Sequence, residues 1–444
     1  MNHAAPKPDR RDTAASDPKE LRKVVLSSYL GTTLEYYDFL VYGTASSLVF
    51  AQVFFSGEDR ALALISGFGV FAAGYVARPV GAIVFGHFGD KIGRKKMLVL
   101  TMLIMGLAST CIGLLPSYAS VGIAAPTVLV LLRLAQGVAV GGEWGGATLM
   151  AIEHSQSKHR GLLTSLVNAG GPSGAVLATL VMGIVSAATG DNFITWGWRI
   201  PFVISVLLVA VSLWLRISVQ ESPVFAAAKD EGEAKKLPLL EALQQPGALI
   251  RSSLATVAPT GMQSLMATFA LTLAVDGGVG RSAALACATI GSLVNVGNVV
   301  LSGSLSDRFG RKPVLITGFA LVAVLIFPLV GLLSSGSFVL VLIAFILGYG
   351  VLVATLMGTV SAYISERFST TSRYTGSSLG YQLGTTLGAG FTPLVAAAVY
   401  RPDGVGALWA AVYVVFLCII SALAVVTGRE MHKVSINDVG AEVR

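Results

Sequence analysis

Twelve apolar stretches recur along the chain, separated by short polar segments, and each is long enough (about 20 residues) to cross a bilayer as an α-helix. Their cores are predicted at 24–50, 62–87, 97–115, 127–151, 162–188, 198–215, 252–275, 282–304, 313–334, 338–364, 375–399 and 405–427. One longer polar stretch, 219–250, separates six helices from six. It contains Lys229-Asp230-Glu231 and Lys235-Lys236 and reads as a surface linker with a short amphipathic helix. The expected fold class is an all-α membrane protein with twelve transmembrane helices in two pseudo-symmetric six-helix bundles. Residues 24–218 form the first bundle, 219–250 the linker and 251–428 the second bundle. The flanking tails, 1–23 and 429–444, are polar and too short for a domain.

The two halves repeat each other. Gly86-His87-Phe88-Gly89-Asp90-Lys91-Ile92-Gly93-Arg94-Lys95 returns as Gly303-Ser304-Leu305-Ser306-Asp307-Arg308-Phe309-Gly310-Arg311-Lys312, shifted by 217 positions. Glu153 followed by Arg160 returns as Glu366 followed by Arg373, shifted by 213. Glycine-rich interruptions also recur, at Asn168–Gly174 in the fifth helix and Gly384–Gly390 in the eleventh. Breaks at matching positions mark a transport pathway or close helix packing through small residues.

Composition agrees with the pattern. The 444 residues are 54% hydrophobic and 12% charged, with a mean hydropathy of +0.74, whereas soluble domains carry roughly 25% charged residues. The net charge of +7 raises the possibility of nucleic acid, but its distribution excludes that partner. Of the 31 Lys and Arg residues, 25 fall in alternate segments counted from the N-terminus. The intervening loops hold only Arg60, Arg199, Arg281 and Arg401, and Arg78 and Arg133 lie inside helices. This is the positive-inside pattern, and it places both termini and the linker in the cytoplasm of a multi-pass cell (inner) membrane protein. No cleavable signal peptide is expected, because the first apolar run is too long for one. Cys111, Cys287 and Cys418 lie in separate helices and read as small buried hydrophobes rather than a disulfide framework or metal site.

These motifs resemble a known superfamily. The duplicated loop at 86–95 and 303–312, with Arg133-x-x-x-Gly137-x-x-x-Gly141, is similar to signatures of the major facilitator superfamily. A narrower resemblance is to its metabolite:H⁺ symporter family. It rests on Glu35-Tyr36-Tyr37-Asp38-Phe39, Tyr75-Val-Ala-Arg78-Pro79-Val-Gly81, Arg133-Leu-Ala-Gln136-Gly137, Gly141-Gly-Glu143-Trp144-Gly-Gly146 and Trp196-Gly-Trp198-Arg199-Ile-Pro201-Phe202. It spans roughly residues 22–428. The resemblance implies secondary transport by alternating access, with a proton and a small metabolite as partners. Family members of this type carry shikimate, citrate, 2-oxoglutarate, other carboxylates, proline or betaine.

Ionisable groups within membrane helices are costly, about 2.5–3.5 kcal/mol each on insertion scales, so each needs a reason. Here they are Glu35, Asp38, Arg78, Arg133 and Glu143, all in the first half. At about 1.5 Å per residue, Glu35 lies roughly 18 Å and Asp38 roughly 22 Å into helix one. By the same measure Glu143 lies about 15 Å into helix four, with Arg133 about 15 Å beyond it. Asp38 is therefore the expected partner of Arg133, with Glu35 the second choice. Protonating Asp38 would release the guanidinium to a substrate carboxylate, which its planar fork matches. The alternative is a permanent bridge that only joins helices one and four. Glu143 is either a second proton site or a hydrogen-bonder to a neighbouring helix. Arg78, just before Pro79, reads as structural rather than as a ligand. Sugar carriers of the superfamily pair a matching aspartate and arginine, which the resemblance carries onto Asp38 and Arg133.

Uncharged candidates for substrate contact are Tyr37, Tyr42, Trp144, Asn168, Gln263, Asn295, Tyr381 and Gln382, with Tyr36, Asn298 and Tyr363 beside them; packing or interhelical hydrogen bonding accounts for each equally well. Gln263 follows Pro259, which can interrupt the backbone ladder of helix seven. Trp196 and Trp198 read as interface anchors. At the cytoplasmic face, Asp90, Arg94, Glu153 and Arg160 are expected to form one charge cluster, and Asp307, Arg311, Glu366 and Arg373 its counterpart in the other half. Together they would act as a latch on the outward-open state. His87 in this loop reads as incidental. The expected function is proton-coupled symport of a small carboxylate-bearing metabolite by a monomer, with no cofactor and no metal. A uniporter or exchanger is the runner-up and a non-transporting sensor the third. An enzyme is not expected, because there are no paired metal ligands, no His-Glu zinc motif and no nucleophile–base pair.

Overall fold

A computed structural model describes residues 18–92, 94–141, 160–217, 243–368, 373–400 and 405–432, and every regular element among them is helical. Twelve long helices follow one another: α1 (18–53), α2 (Arg60–Ile92), α3 (Arg94–Leu114), α4 (Ala124–Gly141), α5 (Arg160–Thr189), α6 (Arg199–Ile217), α7 (246–276), α8 (Arg281–Phe309), α9 (Arg311–Leu333), α10 (Phe338–Ser365), α11 (373–399) and α12 (Val405–Val426). Eight of these are long and apolar enough to cross a membrane by length and composition alone. The other four are α3, whose apolar part is short, and α1, α7 and α11, which carry the polar and glycine residues that meet in the middle of the molecule. The outward faces are oily, as at Leu131, Leu293 and Val324, so the solvent this surface suits is lipid.

The sequence repeat reappears as a repeat of helix pairs. α1 packs on α5, α2 on α4 and α3 on α6; then α7 packs on α11, α8 on α10 and α9 on α12. The halves meet through α5 with α8 and, symmetrically, through α2 with α11. Glycine sets the close approaches. A Cβ at Gly141 would lie 2.0 Å from the Arg78 carbonyl oxygen, and one at Gly174 would lie 2.5 Å from that of Thr33. Gly388, at the matching position of α11, would meet the Val257 carbonyl at 2.3 Å. The glycine-rich stretches of α5 and α11 are thus surfaces on which α1 and α7 lie, the packing role small residues have in membranes.

Two hydroxyls tie neighbouring helices near prolines. Pro79 has no N–H, which leaves the Tyr75 carbonyl without its helical partner. The Thr386 hydroxyl of α11 donates to it at 2.9 Å, across the two halves. Ahead of Pro259, the Ser421 hydroxyl of α12 enters the ladder of α7, donating to the Leu254 carbonyl at 2.6 Å and accepting from the Ala258 N–H at 3.0 Å. Wide π-type turns occur at Ser46–Phe50 in α1 and Leu265–Phe269 in α7, equivalent places in the two halves.

Two expectations need correction. Trp198 is fully buried, edge-on to Phe50, Phe54 and Phe202, because the wide turn Phe193–Gly197 swings it inward; only Trp196 is exposed. Cys111 lies on an exposed face of α3, while Cys287 and Cys418 are buried; all three are free thiols.

Since overpacking a tight contact typically costs about 1–3 kcal/mol, Gly141→Ala is expected to lower the melting temperature of the detergent-purified protein by several degrees. Gly297→Ala, where a Cβ would meet nothing within 4 Å, is expected to leave it unchanged or raise it. Equal behaviour of the two variants in a thermal-shift assay would refute the packing account.

Candidate transport site and the closed ends of the molecule

Arg133 on α4 is fully excluded from solvent. Its guanidinium carbon lies 3.9 Å from the Phe39 ring centroid, 4.1 Å from that of Tyr42 and 5.0 Å from that of Phe71. Gly74 makes room for it, since a Cβ there would sit 2.6 Å from Nε. Nη1 donates to Gln136 Oε1 at 3.1 Å, while Nε and Nη2 have no partner among the described residues. Gln136 Nε2 in turn donates to Ser109 Oγ at 2.8 Å. The Ser109 and Ser205 hydroxyls stand beside Asp38, whose buried carboxyl has one oxygen, Oδ1, without a partner.

The expected Asp38–Arg133 bridge is therefore not formed. A neutral chain, Gln136 then Ser109, runs from the cation toward the carboxyl. The reason is angular: successive residues of a helix are about 100° apart. Asp38 turns to α3 and α6, and Phe39, one place on, meets Arg133.

Arg78 is also buried. Its guanidinium carbon is 4.3 Å from the Phe39 centroid and 4.1 Å from that of Tyr75, so Phe39 carries two cations. The hydroxyls of Tyr36 and Tyr381 are 3.3 Å apart and link α1 to α11. Glu35 is only part-buried. Tyr42 keeps a buried, unpartnered hydroxyl near Arg133. Gln263 stands beside the Tyr349 hydroxyl, and Gln382 has a buried amide nitrogen without a partner.

Several other expected substrate contacts are used up in structure. Tyr37 donates to the Pro201 carbonyl at 2.9 Å, and Asn295 and Asn298 donate to the Tyr349 and Gly350 carbonyls at 2.5 and 3.0 Å. Asn168 bonds the Met357 carbonyl and the Ser361 hydroxyl across the halves, and Tyr363 donates to the Ala424 carbonyl at 3.4 Å. Glu143, Trp144 and Glu153 lie outside the described residues, as do the side chains of His87, Asp90, Arg94 and Arg373. A narrow cleft, with room for little more than a water molecule, is lined by Leu40, Thr44, Ala175, Thr179, Met266, Ala267, Ala288, Ser292, Phe345 and Tyr349. Of these, Thr44, Thr179, Ser292 and Tyr349 are polar groups that periodicity leaves unmarked. Ser109 and Ser205 were likewise missed, since a lone hydroxyl in an apolar run gives no signal, whereas Phe39 stands in the Glu35-Tyr36-Tyr37-Asp38-Phe39 motif. Gln136 was within reach, because it lies in the Arg133-x-x-Gln136-Gly137 motif.

The end of the molecule nearest both termini is shut by charge. The Asp307 carboxylate accepts the N–H groups of Gly161 and Leu162, both at 2.9 Å, and so caps α5 from the other half, where the helix dipole favours an anion. Arg311 donates to Asp307 Oδ1 at 2.7 Å and to Glu366 Oε1 at 2.9 Å, and Arg160 stands 3.8 Å from the same Glu366 oxygen. Arg160 thus reaches across the divide to Glu366 of the other half, while the other members of its expected cluster, Asp90, Arg94 and Glu153, lie outside the described residues. Beyond α12, Glu430 accepts the Lys312 N–H at 2.8 Å, and Lys312 Nζ donates to the Val426 and Gly428 carbonyls. Burial works against the charge of Glu430, but the backbone N–H groups of Lys312, Arg311 and His432 hold its carboxyl below the usual range.

The opposite end is also closed. Arg60 of α2 is paired with Asp276 of α7, and the Tyr400 hydroxyl donates to the other Asp276 oxygen at 3.1 Å. Ser47 donates to the Thr268 carbonyl at 2.9 Å. The loop arginine Arg60 had no expected role.

Twelve helices in two repeated sets, with buried charges between them and a separate closure at each end, define a polytopic membrane transporter. The Major Facilitator Superfamily profile matches residues 29–380 and 253–441. The chain is 34% identical to the shikimate transporter of Escherichia coli (strain K12) over 439 residues, 96% of this chain and 98% of the relative. It is 36% identical to the inner membrane metabolite transport protein YhjE of the same organism over 87% of this chain and 89% of the relative. With the proline/betaine transporter of Salmonella typhimurium it shares 32% identity, over 95% and 85%. Among solved structures, the partially occluded inward open xylose transporter XylE from E. coli superposes with a TM-score of 0.72 at 18% identity, covering 94% of this chain and all of that one. The proton:xylose symporter XylE bound to 6-bromo-6-deoxy-D-glucose gives 0.72 at 16%, covering 97% and 100%; both show the fold. The chain belongs to the major facilitator superfamily and is a secondary transporter of a small molecule, not an enzyme.

Two outcomes follow from this geometry. Gln136→Leu removes Arg133's hydrogen bond, and bonds to charged groups are worth about 1.5–3 kcal/mol. Transport normalised to protein amount is expected to fall about tenfold or more, and unchanged uptake would remove Gln136 from the site. Asp307→Asn weakens the cap on α5. A cysteine at Ser361, in a background lacking the native thiols, is expected to react several-fold faster with a polar maleimide once Asp307 is changed; an equal rate would show that this carboxylate does not hold the end shut.

Proposed function

We propose that the chain couples the entry of a proton to that of a small carboxylate-bearing metabolite across the inner membrane, with both termini in the cytoplasm. The observation that carries this reading is the separation of Asp38 from Arg133. A guanidinium this deeply buried, with two nitrogens unbonded, calls for an anion. A carboxyl among hydroxyls with one bare oxygen is accommodated as the neutral acid. That pair of conditions suits a proton-loaded carrier whose arginine is reserved for the substrate. Loss of the proton restores a negative Asp38, which competes for Arg133 through Gln136 and Ser109 and expels the substrate.

The two bundles, 24–218 and 251–428, rock about the substrate, and the linker 219–250 joins them on the cytoplasmic side. Opening inward breaks the contacts of Asp307 and the Arg160–Glu366 pair; opening outward breaks Arg60–Asp276. Each face then has its own closure, as alternating access requires. Relatives named for shikimate and for proline and betaine support a carboxylate as the common recognition element.

The test is transport by the purified protein in liposomes. Substrate entry is expected to carry protons inward. Asp38→Asn is expected to lose uphill accumulation driven by a pH gradient while keeping counterflow exchange. Normal accumulation by that variant would eliminate Asp38 as the proton carrier, and substrate entry without proton entry would favour a uniporter or exchanger.

A further inference from the structure

Arg78 has a use beyond the helix kink beside it. It is buried, with 8% of its surface accessible, its Nε has no partner, and it makes no ion pair among the described residues. Its guanidinium shares the Phe39 ring with that of Arg133, so two buried positive charges are held close together over one neutral ring. Like charges at short range in a poorly screened interior repel strongly, and the rings around them offset only part of that cost.

The place of Arg78 also differs from that of Arg133. Arg133 is tied to the Asp38 side through Gln136 and Ser109. Arg78 lies where the halves meet: the carbonyl of its neighbour Tyr75 takes the Thr386 hydroxyl of α11, Gly390 of α11 packs on the Tyr75 side chain, and Tyr36 reaches Tyr381. A molecule carried between the halves passes this point.

We infer that Arg78 is a substrate-binding residue, and that with Arg133 it selects an organic acid of net negative charge over a zwitterion. The acid's carboxylate is met by the Arg78 fork, and its charge relieves the repulsion between the two guanidiniums. A zwitterion would bring its ammonium up against two cations with no described carboxylate paired to either. This rests on the reading of the chain as a carboxylate carrier, but it does not depend on proton coupling.

The test is binding by the detergent-purified full-length protein, measured by calorimetry without any gradient, so that failure of the Asp38 scheme leaves it untouched. The probes are shikimate, succinate and citrate against L-proline and glycine betaine. At least one acid is expected to bind and neither zwitterion to compete with it. Arg78→Gln is expected to weaken the acid at least tenfold, and Arg78→Lys, which keeps the charge but not the planar fork, to recover part of that loss. Melting curves of both variants check that they are folded, and should Arg78→Gln not fold, the comparison of Arg78→Lys with the parent across acids of one, two and three carboxylates decides. Binding of a zwitterion but no acid, binding of none of the five, or acid affinity indifferent to Arg78 would each overturn the inference.

Discussion

A guanidinium removed from water with no carboxylate at its side among the described residues is the constraint around which this molecule is arranged. Arg133 is accommodated by three aromatic rings, one amide and a missing side chain at Gly74. Each of these has little freedom to change: a larger residue at 74 collides with the arginine, and Gln136 is the bridge to Ser109. The charge is therefore held in place by neutral groups, and its natural counter-ion lies beyond them. Neutral polar partners leave a cation's field largely uncompensated, which is the condition under which an incoming anion is favoured.

The repeat of helix pairs gives this centre its setting. Because α5 meets α8 as α11 meets α2, the two halves touch along two equivalent seams. The closures at the two ends differ in kind. One is a cluster of two arginines and two carboxylates that also caps a helix, and the other is a single partly exposed ion pair with a tyrosine hydroxyl. Exposed pairs contribute little in water, about 0–1 kcal/mol, whereas charge-assisted bonds to backbone N–H groups are stronger.

Much of this was legible in the sequence. Long apolar runs have no soluble interpretation, so the helices and their number followed from length, and the duplicated Asp-x-x-x-Arg loops announced the two halves. Asp38, Arg78 and Arg133 stood out because charge in an apolar run always demands a cause. Partnership was harder to read. Depth along a helix can be counted from the sequence, but the direction in which a side chain leaves it depends on helix rotation, and this is why Asp38 was matched to Arg133 when Phe39 and Tyr42 were the residues turned toward it. The cross-half pairing of Arg160 was hidden for a related reason: repeats reveal which residues correspond, not which residues touch. Ser109 and Tyr349 left no trace, since a hydroxyl among leucines and valines is ordinary composition.

The bond from Thr386 to the Tyr75 carbonyl lies midway along both α2 and α11. When two rigid bodies tilt against each other, displacement grows with distance from the axis and is least near the centre. A proline that surrenders one carbonyl to the neighbouring bundle at that height ties the halves where any tilt of one against the other would displace them least.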